Sequence, residues 1–292
     1  MNRRHKPIGQ HLLTWATALE SRLYGFSTKH QRVGEFSYEY WDSGAQDKPV
    51  LILIHGFTAD KMVWLRCARY LTKVYRVIIP DIAGHGGTDF IPDRGYGIPK
   101  QAERLNYFIK TLQLSSKPCI GGNSMGGFLA AQYALTYPNE VHKIICVDPA
   151  GIVSPEKSTS QKLAEAGDNP FLMDDIGAFP RFYDLTMAKP PFLPQLIKTA
   201  IAYKYVDRKV DFTEIFHDFF APEDMLNGRL HQISCPVLLL WGAKDQLIHI
   251  SAAQVWQSET NGITVIWDDL GHMPMMEAPK QCAQEMLRFL QA

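Results

Sequence analysis

The chain has 292 residues, 46% of them apolar and 21% charged, and its 30 basic and 30 acidic side chains cancel at neutral pH. That length fits one large domain, or one domain with an inserted subdomain, better than a string of modules. The balance excludes a disordered chain, which would lack apolar material for a core, and the strongly basic character of a nucleic-acid binder.

The N-terminal extension, residues 1–29, opens with Arg3, Arg4 and Lys6; Leu12, Trp15, Ala16, Leu19 and Leu23 then recur at three- and four-residue spacing. This is the pattern of an amphipathic helix. The longest charge-free stretch, Pro7 to Leu19, has 13 residues and includes Gln10 and His11, too short and too polar to span a bilayer. No apolar signal core with a small-residue cleavage site is evident. Two readings stand: the helix packs on the body of the domain, or it lies on a membrane surface. The protein is accordingly expected in the cytoplasm or peripherally on a membrane.

From about residue 30, short apolar runs alternate with helix-like stretches. Gly34–Trp41 alternates like a strand, and Val50–Ile54 is a continuous apolar run ending at His55-Gly56, as in a strand covered on both faces. A helical pattern follows over 59–73, then a strand over Val74–Pro80 ending at Asp81, a helix over Gly97–Leu114 and a strand over Pro118–Gly122. Phe128–Tyr137 is helical and closed by Pro138, and Lys143–Val147 is a strand ending in Asp148-Pro149. Residues 153–232 hold helical stretches rich in Phe, Leu, Met and Pro but no buried-strand run. Strands return at Pro236–Trp241 and Ile263–Trp267, and Pro279–Leu290 is the last helix. The alternation predicts an α/β fold with a mostly parallel, doubly wound sheet. Its core would be residues 30–152 and 233–292, with 153–232 inserted as a helical cap.

Cys67, Cys119, Cys146, Cys235 and Cys282 form no CxxC pair, and three of them (Cys119, Cys146 and Cys235) sit in strand-like runs, so they read as small core residues and not as a disulfide framework. The ten histidines show no HxH, HExxH or CxxH spacing, which leaves a protein-made metal site without support.

Gly122-Asn123-Ser124-Met125-Gly126 stands between a strand and a helix. A G-x-S-x-G match alone is weak, but this context forces a tight turn that lifts the serine hydroxyl above the strand ends, with glycines where a Cβ would crowd the corner. The serine needs a base, and the base needs a carboxylate to fix its tautomer. In folds with such a turn the chain order is Ser, acid, His. His272, after the last strand, is the only histidine in the final 43 residues, and Asp245 follows the strand before it. Asp148 ends another strand and is the alternative acid. Asp81 is read as organising its own glycine loop, and Asp268 and Asp269 as capping the histidine loop. An oxyanion would be held by the backbone N–H groups of Met125, at the helix start, and Phe57, in the His55-Gly56-Phe57-Thr58 loop. His55 is then structural.

These motifs, with Asp81-Ile82-Ala83-Gly84-His85-Gly86 and Gly242-Ala243-Lys244-Asp245, occur in the order expected of an α/β-hydrolase, which the chain resembles from about residue 30 to its end. The stretch His55–Leu65 and Pro149-Ala150-Gly151 are most similar to the monoacylglycerol-lipase-like and bacterial lipase/esterase branch. Serine hydrolases that cleave carbon–carbon bonds in ring-fission products share the GNSMGG turn. They usually carry Gly-Pro-Gly-Ala after the HG pair and an Arg close to the acid, where this chain has Phe57-Thr58-Ala59-Asp60 and Gln246-Leu247-Ile248. Dehalogenases and epoxide hydrolases have an aspartate where this chain has Ser124. A non-catalytic binding protein on this fold would be free to lose triad residues, and all three are in register here.

The cap segment is dense in Phe, Met and Pro, which suits an adaptable apolar pocket, and no basic cluster favours an anionic substrate. Phe57, Phe179, Phe182 and Met187 are the candidate substrate-binding side chains. The expected function is hydrolysis of an ester with an apolar acyl chain by Ser124, Asp245 and His272. No cofactor, metal or nucleic-acid partner is expected. Contact with a lipid interface through the N-terminal helix and the cap is a further expectation.

Overall fold

The computed structural model describes residues 5–292; Arg3 and Arg4 lie outside the described residues, as does the side chain of Lys6. The strands are β1 (Ser27–Val33), β2 (Phe36–Asp42), β3 (Val50–Ile54), β4 (Arg76–Pro80), β5 (Cys119–Asn123), β6 (Ile144–Val147), β7 (Val237–Gly242) and β8 (Ile263–Trp267). They form one sheet in the order β1-β2-β4-β3-β5-β6-β7-β8. β2 pairs antiparallel with β1 and with β4, and every other pairing is parallel.

The helices are α1 (His5–Leu23), α2 (Leu65–Leu71), α3 (Ile98–Thr111), α4 (Met125–Thr136), α5 (Thr159–Glu165), α6 (Phe179–Thr186), α7 (Gln195–Asp207), α8 (Lys209–Phe219), α9 (Ser251–Glu259), α10 (Pro274–Glu277) and α11 (Pro279–Gln291). Because successive strand residues point to opposite faces, each central strand feeds two cores. Ile52, Ile120, Cys146 and Leu239 pack on one side with Leu105 and Phe108 of α3, Phe128 of α4 and Trp256 of α9. Their neighbours Leu51, Cys119, Val147 and Leu240 pack on the other with Leu71 of α2 and Met286 and Phe289 of α11. Both faces are covered, which is why these strands read as continuous apolar runs. All five cysteines are free thiols.

Between β6 and β7, neighbours in the sheet, the chain runs through α5–α8 without a strand among the described residues. This insertion carries its own apolar cluster of Met173, Phe179, Phe182, Tyr183, Met187, Ala202 and Tyr205.

Two elements depart from the simplest sequence reading. β1 (STKHQRV) is a polar, largely exposed edge strand, so it lacks the apolar signal of a buried one. In α1 the apolar stripe faces outward: Ile8, Leu12, Trp15, Leu19 and Leu23 are exposed, Trp15 at 65%. The side of α1 that packs is small and polar. A Cβ on Gly9 would lie 2.8 Å from the carbonyl oxygen of Leu196 in α7, Ser21 is buried, and Glu20 pairs with Arg66 at 2.9 Å.

Candidate active site

Ser124 joins β5 to α4 with φ +55° and ψ −117°, a backbone region that favours glycine and stores strain in any other residue. The surroundings hold it there. Its N–H donates to the Val147 carbonyl at 2.9 Å, and its carbonyl accepts from Phe128 and Ala150 at 3.0 and 3.1 Å. A Cβ on Gly122 would stand 2.1 Å from the backbone of Gly126, and one on Gly126 would stand 2.3 Å from the Ile54 carbonyl oxygen. Only glycines allow so tight a corner, and the serine is left half-buried at the start of α4.

His272 lies in the loop after β8 and Asp245 in the loop after β7, both buried. His272 Nδ1 is 2.7 Å from Asp245 Oδ2. The other carboxylate oxygen accepts from the N–H groups of Leu247 and Ile248 at 2.8 and 3.0 Å, so Asp245 is locked in place. The two loops are tied together by Ala243 N–H donating to Trp267 and Lys244 N–H to Leu270, each at 2.9 Å. Asn123, next to the serine, donates to the His272 carbonyl at 2.9 Å and to the Val147 carbonyl at 3.1 Å, which brings the histidine loop to the serine turn. Glu277 braces the same loop by accepting from Gly271 at 3.0 Å and Met273 at 3.2 Å. Neither Asn123 nor Glu277 is evident from sequence, because each acts through a contact that only the folded chain creates.

The loop after β3 closes the site from the other side. A Cβ on Gly56 would lie 3.2 Å from Ser124 Cβ. The Phe57 N–H has no protein acceptor among the described residues. Met125 is the first residue of α4, where an N–H has no partner within the helix. His55 is wholly buried, and burial holds its pKa below the ordinary value. It is therefore neutral: Nδ1–H donates to the Gly56 carbonyl at 2.8 Å, and Nε2 accepts from Ile82 N–H at 3.2 Å. Asp81 accepts from Gly87 N–H at 2.8 Å and Lys61 N–H at 2.7 Å and pairs with the Lys61 ammonium, joining its glycine loop to the segment after the Phe57 loop.

Asp148 is wholly buried with φ +43°. One oxygen accepts from Gly242 N–H at 2.9 Å, and the other has no hydrogen-bond partner. Burial, reinforced by the Asp245 charge, raises its pKa well above the usual carboxylate range. Donor atoms of Asp148, Asp245 and His272 lie within 4.8 Å of one another, the one grouping among the described residues with metal-ligand chemistry. Both Asp245 oxygens, His272 Nδ1 and one Asp148 oxygen are already committed to protein hydrogen bonds.

Phe57 is the hub of an aromatic cluster, with ring centroids of Phe171 and Phe212 at 5.7 Å, Phe216 at 5.8 Å and Phe219 at 6.2 Å. Phe182 joins it through Phe171 at 5.4 Å, and Phe179 lies one ring farther out, 5.7 Å from Tyr205. Met187 belongs to the same buried cluster as Phe179 and Phe182 and borders the histidine loop, its Cα 3.1 Å from where a Cβ on Gly271 would stand. Phe212, Phe216 and Phe219, on one face of α8, were not among the sequence candidates; their spacing of four and three residues is the signal that marks them.

Comparison with known proteins places the chain in a family. The family model for the alpha/beta hydrolase fold matches residues 49–279. Lipase 3 of a Moraxella species is 33% identical over 241 residues, covering 82% of this chain and 76% of that protein. The monoacylglycerol lipase abhd6-B of Xenopus laevis is 28% identical over 285 residues, covering 92% of this chain and 83% of its own. A crystal structure described as a membrane phospholipase A and bacterial virulence factor superposes with a TM-score of 0.93 at 32% identity, over 97% of this chain and 92% of that one. The chain belongs to the alpha/beta hydrolase fold family, among relatives that include bacterial lipases and monoacylglycerol lipases.

Proposed function

We propose that the protein is a carboxylic-ester hydrolase that cleaves lipid esters with an apolar acyl chain, monoacylglycerols included, through an acyl-enzyme on Ser124. The observation that carries this reading is the convergence, at one end of the sheet, of a strained serine turn with the 2.7 Å His272–Asp245 pair. Asp245 keeps the imidazole proton on Nδ1, which leaves the Nε2 lone pair to take the proton of Ser124. The alkoxide attacks the ester carbonyl, and the N–H groups of Phe57 and Met125 hold the resulting oxyanion. His272 then protonates the leaving alcohol, and water hydrolyses the acyl-enzyme with the same groups.

Residues 153–232 serve as a cap, and the rings gathered around Phe57, with Phe179, Phe182 and Met187, receive the acyl chain. The names of the relatives, lipases and monoacylglycerol lipases, support a lipid ester as substrate.

The N-terminal helix lies on a lipid surface. Its outward stripe of Ile8, Leu12, Trp15, Leu19 and Leu23 has the apolar face of an interfacial helix, and Arg3, Arg4 and Lys6 precede it in sequence. Phe192, 90% exposed, stands just ahead of α7, the helix on which α1 packs. No helix among the described residues is long and apolar enough to cross a membrane.

The test is a chain-length series of p-nitrophenyl esters and monoacylglycerols on wild type and Ser124→Ala. Turnover that peaks at medium or long chains and vanishes in the variant supports the reading. A folded wild type that turns over no ester refutes it.

A further inference from the structure

We propose that Tyr205 and Lys204, adjacent residues of the inserted helix α7, are positioning residues that hold the Phe57–Asp60 loop in the geometry that receives the oxyanion. This rests on the reading of the Phe57 N–H as an oxyanion donor. Such a donor works only if it is fixed before charge develops, so what fixes this loop bears directly on rate.

The Gly56–Phe57 peptide, which carries that N–H, is oriented from within the core by His55 Nδ1 on the Gly56 carbonyl at 2.8 Å. The next peptide is oriented differently. Thr58 has φ +62°, a left-handed conformation that a β-branched residue adopts only when its surroundings impose it. Its hydroxyl lies 2.7 Å from the Phe57 carbonyl and 3.0 Å from the Tyr205 phenol, both bonds buried. A threonine hydroxyl has one proton. With that proton on the carbonyl, the phenol supplies the proton of the second bond. Burial raises the Tyr205 pKa to about 12, so the phenol keeps its proton at any working pH.

Two residues farther on, Asp60 caps the next turn by accepting from Met62 N–H at 3.0 Å, and its other oxygen pairs with Lys204 Nζ at 2.5 Å. Burial opposes ionisation of Asp60, but the charge and hydrogen bond of Lys204 prevail and hold the carboxyl below the usual range. Adjacent α7 side chains thus hold both ends of a strained loop that follows β3. From within, the turn is closed by Ala59 N–H donating to the Gly56 carbonyl at 3.3 Å, and the Tyr205 phenol ties it to α7.

Tyr205→Phe tests the idea cleanly, because the ring that packs against Phe182 at 5.2 Å and Phe179 at 5.7 Å is kept while the hydroxyl is lost. On a soluble p-nitrophenyl ester, kcat is expected to fall roughly tenfold with KM changed less than about twofold, a fraction of the loss seen when an oxyanion donor is deleted outright. Affinity for a trifluoromethyl ketone, which forms a tetrahedral oxyanion adduct, should fall by the same factor, while affinity for the product fatty acid is unchanged. Thr58→Val should reproduce the defect, Thr58→Ser should restore near-normal kcat, and the Tyr205→Phe, Thr58→Val pair should be no worse than either alone. An unchanged kcat in Tyr205→Phe overturns the proposal, as does a kcat loss with no matching loss of ketone affinity. Ser124→Ala run in parallel separates the two levels: if it keeps full turnover the proposed function fails, and if it is inactive while Tyr205→Phe is normal only the positioning role fails.

Discussion

His272 Nδ1 and Asp245 Oδ2 lie 2.7 Å apart in a buried setting, and the remaining Asp245 oxygen is saturated by two backbone N–H groups. The carboxylate has no freedom to do anything but fix the imidazole tautomer. Asp245→Asn keeps the shape but not the acceptor pair, and an amide that retains the backbone bonds turns its NH2 toward Nδ1. The imidazole proton is then forced onto Nε2, and kcat should fall by about 10⁴-fold with the fold intact by circular dichroism. A loss smaller than tenfold would show that another group supports the histidine.

Asp148 is that alternative group, and its chemistry argues against the role. Burial and the Asp245 charge raise its pKa, so it holds its proton more tightly than an ordinary carboxyl, and its one hydrogen bond is to Gly242 N–H and not to His272. Asp148→Asn can retain the acceptor for Gly242 N–H, and turnover should change less than about threefold. A carboxyl raised by folding is stabilising below its unfolded pKa of about 4 and loses that advantage as pH rises toward its folded value. Denaturant titrations should therefore find the variant gaining on wild type from about pH 4 upward. Loss of activity in Asp148→Asn, or parallel pH curves, would contradict this assignment.

Asp42 has the opposite sign. Burial would raise it, but Arg76 at 2.7 and 3.0 Å and Lys29 at 2.8 Å outweigh burial and lower its pKa to about 2. Its contribution is fully present above the unfolded value of about 4 and is lost as pH falls to about 2. Asp42→Asn should be less stable than wild type at pH 7, with the two curves converging between pH 4 and 2. Denaturant midpoints across that range measure it.

The outward stripe of α1 gives a separable test of membrane contact. Trp15→Glu with Leu19→Glu places two charges on an exposed face, so neither folding nor turnover of a water-soluble ester should change. Sedimentation with anionic phospholipid vesicles should drop at least about tenfold, and so should turnover of vesicle-borne monoacylglycerol. Equal vesicle binding by both proteins would remove α1 from the lipid contact.

Much of this molecule is legible in the sequence because its signals are local. β3, β6 and β7 are apolar without interruption since helices cover both faces, and Ser124 announces itself through glycines at positions where a Cβ would stand as little as 2.1 Å from backbone. β1 escapes because an edge strand of Ser, Thr, Lys, His, Gln and Arg carries no burial pattern. The periodicity of α1 reveals an apolar face but not what covers it; here Gly9 and Ser21 face the protein and Trp15 faces out. Asn123 reaches His272 across 149 positions and Thr58 reaches Tyr205 across 147, and no spacing rule reaches that far.

Active-site titration with an alkyl fluorophosphonate, followed by peptide mass spectrometry and ester turnover on the same sample, tests Ser124 as the nucleophile. The expected result is one equivalent of phosphonate on the peptide containing Ser124, turnover lost in proportion to labelling, and no labelling of Ser124→Ala. Ester turnover that survives complete labelling of Ser124, or labelling that falls on another residue, would contradict it.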